Sequence, residues 1–130
     1  MKSGINHIVS CFKAYGFLTY QCTDIYQYKL DFIALNKNVS IIGCVVEVKG
    51  SMFDIKKDID KDKLTTLLTY INKAISGVVI YSAEQDCYYR LPTELIQRAN
   101  ELGVRHIVLT SMTLYSKVLE IWRNNVNEDL

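Results

Sequence analysis

Apolar and polar positions along the chain change period several times, and each change marks an element. Ile5, Ile8, Val9 and Phe12 follow the i, i+3, i+4, i+7 spacing of an amphipathic helix, with Ser3 placed to cap it and Gly16 to end it. Phe17 to Cys22 is short, aromatic and β-branched and predicts a strand, followed by a connector from Thr23 to Tyr28. Apolar runs at about 30–35 and 40–49 flank the polar break Asn36-Lys37-Asn38 and predict an antiparallel hairpin. Asp54 to Lys63 alternates in charge, which predicts the solvated start of a helix with i, i+4 pairs. Leu64, Leu67, Leu68, Ile71 and Ala74 continue that helix as an apolar stripe, with Gly77 as its stop.

Val78-Val79-Ile80-Tyr81 is a continuous apolar run and reads as a fully buried strand, with Tyr88-Tyr89-Arg90 as a short extension or edge strand. Pro92 suits the first position of a helix whose apolar face is Leu95, Ile96, Ala99 and Leu102 and whose stop is Gly103. Val104 to Leu109 predicts a last strand. Ser111 is placed to cap a final helix bearing Leu114, Tyr115, Val118, Leu119, Ile121 and Trp122, before a polar tail from Asn124 to Leu130. The order α-β-β-β-α-β-α-β-α predicts one α/β domain with a mixed central sheet flanked by helices.

Composition narrows this little. One domain fits the length of 130 residues, and 49% hydrophobic residues with a single proline predict a packed core. The N-terminal residues lack the apolar core of a signal peptide and no run approaches a membrane span, so a soluble cytoplasmic protein is expected. Fifteen basic against fourteen acidic residues argue against binding nucleic acid by bulk charge alone, while leaving room for a local basic face or a divalent metal. Cys11, Cys22, Cys44 and Cys87 form no Cys-x-x-Cys pair with zinc spacing and are expected to be reduced, the first three as core thiols. There is no phosphate-binding Gly-rich loop, nucleophile elbow or zinc-protease motif.

The hairpin carries the chemistry. Asp31 opens its first strand, and Glu47 and Lys49 end the second on one face, with Val46 and Val48 on the other. Folding back at 36–40 sets Asp31 opposite a position near Val45, one or two residues from Glu47. Two carboxylates and an ammonium at one end of an apolar strand pair are costly unless paired or bound to a metal. A strand-end salt bridge explains such a cluster without catalysis.

An Asp opening one strand and Glu-x-Lys closing the next, on an αβββαβ order, resembles the PD-(D/E)xK nuclease superfamily. That group includes restriction endonucleases, archaeal Holliday-junction resolvases and DNA-repair nucleases. The likeness covers about residues 4–82, with 91–126 as an additional helix-strand-helix. Glu47-Val48-Lys49-Gly50-Ser51 and the following Asp/Lys-rich segment are most similar to the small resolvase and repair members, and Leu91-Pro92-x-Glu94-Leu95 to a repair-associated branch.

The resemblance implies a restriction-endonuclease-like fold and hydrolysis of DNA phosphodiester bonds, as an endonuclease using Mg²⁺ or Mn²⁺, on branched, repair or recombination intermediates. It implies Asp31 and Glu47 as catalytic carboxylates and metal ligands, with the Val48 backbone carbonyl as a third protein ligand. Lys49 would orient or help deprotonate the attacking water and stabilise developing charge. Relatives also use a Lys or Gln on the next helix, for which Lys56, Lys57, Lys61 and Lys63 are candidates. These lysines, with Ser51, Tyr26 and Tyr28, are the positions at which DNA contact is expected.

Two departures stand out. Leu30 replaces the usual Pro before the first Asp, and residues 1–23 contain no acidic residue where resolvase-like enzymes place a metal-binding Glu. Asn6 or His7 could substitute, though neither is a strong Mg²⁺ ligand. The alternative is a non-catalytic nucleic-acid-binding or protein-interaction module on a nuclease fold. A homodimer pairing two sites is compatible with either, with Leu119 and Trp122 on the last helix serving as an interface or closing the core.

Overall fold

The computed structural model describes residues 2–21, 30–46, 57–58, 61–82 and 89–125. Five strands form one mixed sheet in the order β1 (Leu18–Gln21), β2 (Phe32–Asn36), β3 (Val39–Val46), β5 (Gly77–Ser82), β7 (Arg105–Thr110). The β1–β2 and β2–β3 pairs are antiparallel, whereas the β3–β5 and β5–β7 pairs are parallel. A separate pair joins β4 (Lys57–Asp58) to β6 (Tyr89–Arg90) in parallel. No helix among the described residues is long and apolar enough to cross a membrane.

Helices cover both faces. On one, α1 (Lys2–Ala14) and α4 (Leu114–Asn125) bury Ile8, Phe12, Leu114, Val118 and Ile121 against Phe32, Ala34, Ile41, Val45, Val79 and Tyr81. On the other, α2 (Lys61–Tyr70) and α3 (Thr93–Leu102) bury Leu67, Leu95 and Ala99 against Ile42, Cys44, Val78 and Ile80. β5 lies in the middle of the parallel part and is buried along its whole length, which is why its sequence shows no alternation. Leu119 and Trp122 are half-buried, Trp122 tilted against Tyr15 of α1 at 6.2 Å between ring centroids.

The hairpin forms as its pattern predicts. Asn36 pairs with Val39 across the two-residue loop Lys37-Asn38, where Lys37 takes the positive φ of 50° that tight hairpin loops require. The next register pairs bring Phe32 opposite Gly43, and the Phe32 ring lies over it. A Cβ at Gly43 would stand 2.1 Å from that ring, so the close approach requires glycine.

Several boundaries differ from expectation, each for a local reason. Ser3 lies inside α1 rather than at its cap, because the helix already includes Lys2. α2 stops at Tyr70, short of Ala74: Asn72 Oδ1 accepts the Ala74 N–H at 2.8 Å, and this side-chain turn replaces the next helical bond. Gly77 is therefore the first residue of β5, not a helix stop. The Asp/Lys run is not wholly helical, since Lys57 and Asp58 form β4 and α2 begins only at Lys61. Pro92 is the cap of α3, in extended conformation (φ −61°, ψ 142°), rather than its first helical residue. Thr113, not Ser111, immediately precedes α4, and its carbonyl accepts the Lys117 N–H at 3.0 Å. Gly16 and Gly103 end their helices at positive φ, as expected.

Candidate functional site

Leu30 and Phe32 pack into opposite cores, so strand alternation is broken at Asp31, which lies in a bend just before β2. Its backbone N–H donates to the Gly43 carbonyl at 3.0 Å and keeps the ladder with β3. One step further along β3, the ladder acceptor is a side chain: Asp31 Oδ2 accepts the Val45 N–H at 2.8 Å. The carboxylate thus ends the β2–β3 ladder and satisfies a buried donor that would otherwise cost about 1–3 kcal/mol.

Asp31 is buried, with 8% of its surface exposed. Lys63 Nζ donates to the same Oδ2 at 2.5 Å, supplying the counter-charge that burial demands. Oδ1 has no hydrogen-bond partner among the described residues. Lys63 lies on the sheet-facing side of α2 because it is one helical step, i−4, from the fully buried Leu67. Lys61 stands in the same kind of spacing to Leu64 and Leu68, so the sequence pattern alone does not separate the two lysines.

Strand directions bring further groups to this end of the sheet. The C-termini of β1, β3, β5 and β7 and the N-terminus of β2 all meet there, through the pairs Gln21–Phe32, Val46–Ser82 and Ser82–Thr110. The carboxyl ends of parallel strands are where open α/β sheets bind their ligands. Gln21 Nε2 donates to Asn6 Oδ1 at 3.4 Å, and His7 Nδ1 lies 2.8 Å from the hydroxyl of Tyr81. Tyr81 is Val45's register partner on β5, so this pair flanks the strand that receives Asp31. The His7–Tyr81 contact joins residues 74 apart and has no signature in sequence.

Burial pushes the Tyr81 hydroxyl's pKa up, with smaller contributions in the same direction from Cys11 and Tyr115. Burial likewise raises the Cys11 thiol to about 11. Cys11 and Cys44 are buried thiols, as expected.

Of the residues expected in the site, Asp31 and Lys63 are brought together. Lys61 is exposed at the start of α2, and Lys57 pairs with Tyr89 in the small second sheet. Glu47, Val48, Lys49, Ser51, Lys56, Tyr26 and Tyr28 lie outside the described residues, as do Cys22 and Cys87. The described part of β3 ends at Val46, the residue before Glu47. No group of three or more His, Cys, Asp or Glu side chains among the described residues could hold a metal ion. Asp31 alone contributes one hard oxygen donor, the type Mg²⁺ prefers.

Comparison with family models, with curated proteins and with solved structures finds no match to this chain.

Proposed function

We propose that the chain is a metal-dependent nuclease that hydrolyses DNA phosphodiester bonds, with Asp31, Glu47 and Lys49 at its centre. The observation that supports this most is the placement of Asp31: a buried carboxylate at the ligand-binding end of an α/β sheet, fixed to β3 two residues before Glu47. The donor types fit a hard divalent cation, since Asp31, Glu47 and the Val48 carbonyl are all oxygen ligands. A bound Mg²⁺ or Mn²⁺ would lower the pKa of water and stabilise charge on the phosphate.

The chain's own residues would do the rest. Lys49 orients the attacking water, whose oxygen bonds to phosphorus as a bridging P–O bond breaks. Lys63 holds Asp31 in place through Oδ2, which leaves Oδ1 for the metal side. The DNA substrate class, including branched repair or recombination intermediates, follows from the resemblance rather than from this geometry.

A second reading has one observation in its favour. Asp31 Oδ2 is engaged by both Val45 and Lys63, which is what a purely structural carboxylate would do. On that reading the chain is a non-catalytic nucleic-acid-binding or protein-interaction module. The two separate on incubation with labelled single-stranded, duplex, flap and four-way-junction DNA, with Mg²⁺ or Mn²⁺ and with EDTA. Cutting that needs metal and disappears in folded Asp31→Asn, Glu47→Gln and Lys49→Ala variants is the expected result. Binding without cutting on every substrate would establish the second reading.

A further inference from the structure

His7 is a second candidate contact residue, on the opposite face of the sheet from Lys63. Its ring is half-buried, edge-on to both Tyr81 and Tyr115 at 6.1 Å between centroids. Tyr81 is fully buried, and the only hydrogen-bond partner of its hydroxyl among the described residues is His7 Nδ1.

That argues for one tautomer. A buried phenol needs an acceptor for its proton, and Nδ1 can accept only when the imidazole is neutral with its hydrogen on Nε2. Nε2 itself makes no hydrogen bond among the described residues. Nor is it one of the buried unsatisfied side-chain atoms there, which are Thr19 Oγ1 and Ser111 Oγ. The Nε2–H is therefore a donor reachable from solvent, on a ring whose other nitrogen is anchored in the core.

α1 holds this donor at the strand ends. Gly4, one turn before His7, lets the helix approach β3 so closely that a Cβ there would stand 3.2 Å from Val45 Cγ1. Tyr81 is one strand spacing, about 4.8 Å, from Val45, the residue whose N–H holds Asp31. Lys63 thus approaches the strand ends from the α2/α3 side and His7 from the α1/α4 side.

We propose that His7 Nε2–H donates to a backbone phosphate oxygen of bound DNA, with Tyr81 as the positioning residue that sets the tautomer. This rests on the nucleic-acid reading above, but not on cleavage. A neutral donor on an anchored ring suits a phosphate oxygen, which accepts readily and needs no charge on the partner.

The test uses two substitutions that each copy one ring nitrogen. His7→Asn keeps an acceptor near the Nδ1 position and has nothing at Nε2, whereas His7→Gln reaches the Nε2 position and lacks the other. Affinity for a labelled duplex is measured without divalent metal, alongside thermal unfolding. The expected result is a crossed pattern. His7→Asn unfolds like wild type and binds about ten-fold more weakly, the size of one lost hydrogen bond. His7→Gln binds within a few-fold of wild type and unfolds at lower temperature, because the Tyr81 hydroxyl loses its acceptor.

Wild-type affinity in His7→Asn would overturn the inference and leave the nuclease reading standing. A wild-type protein that binds no DNA in any form would overturn both. Weaker binding by His7→Asn in a protein that never cuts would uphold His7 and remove the nuclease.

Discussion

Replacing Asp31 separates its structural work from its chemistry. Asp31→Ala deletes the acceptor of the Val45 N–H and the partner of Lys63 in one step. Loss of a charged hydrogen bond and exposure of the orphaned donor to a dry environment cost about 1.5–3 kcal/mol. Lys63 has 26% of its side chain exposed and can turn to water, so the ion pair adds at most about 1 kcal/mol. The sum is about 1.5–4 kcal/mol, and a domain of this size loses roughly 3–5 °C of melting temperature per kcal/mol.

Asp31→Asn is the control. Its amide oxygen can still accept from Val45, so only the charge is lost, and the cost falls to about 1 kcal/mol. Urea unfolding followed by circular dichroism measures both, with the denaturant slope expected to stay constant. Under the proposed function both variants lose metal-dependent cutting, although Asp31→Asn remains nearly as stable as wild type. An Asp31→Ala protein within about 0.5 kcal/mol of wild type would refute the structural account of the carboxylate. An Asp31→Asn protein that still cuts DNA would refute its catalytic role.

Two further predictions concern the packing around this site. Gly43→Ala places a methyl group inside the Phe32 ring's position and should destabilise by at least about 2 kcal/mol, read from the urea midpoint; an unchanged midpoint would show that the ring moves freely. Cys11 titrates at about 11 in the folded protein against 9.0 for an accessible thiol, so between those values the unfolded chain releases a proton that the folded chain keeps. Stability contributed by the neutral thiol is complete below pH 9 and falls as pH rises through that window, by on the order of 2 kcal/mol. Tyr81, also raised, acts in the same direction. A Cys11→Ala protein should therefore lose less of its own neutral-pH stability on going to pH 11, and an equal loss in both proteins would count against a buried thiol.

Periodicity alone determined most of the element order, because each switch between period 3.6 and period 2 reflects which side chains must leave water. The helix stripe at Ile5, Ile8, Val9 and Phe12, the continuous apolar β5 and the hairpin around Lys37-Asn38 all carry that imprint. So does the approach of Asp31 to Val45, which follows from hairpin register once the turn is placed. Boundaries were less legible. The end of α2 at Tyr70 depends on one Asn72 side chain competing for a backbone donor, and an apolar stripe does not register such competition.

What tertiary structure decided is which side chains meet across elements distant in the chain. Four lysines between 56 and 63 look equivalent in sequence, yet only the helix's rotation against the sheet turns Lys63 toward Asp31. His7 and Tyr81 meet because α1 packs over β5, and the parallel β3–β5 register then puts Tyr81 beside Val45. Local pattern records each residue's preference for water or core. It holds no record of which two polar groups, left together in that core, must satisfy each other, and here those pairs form the candidate site.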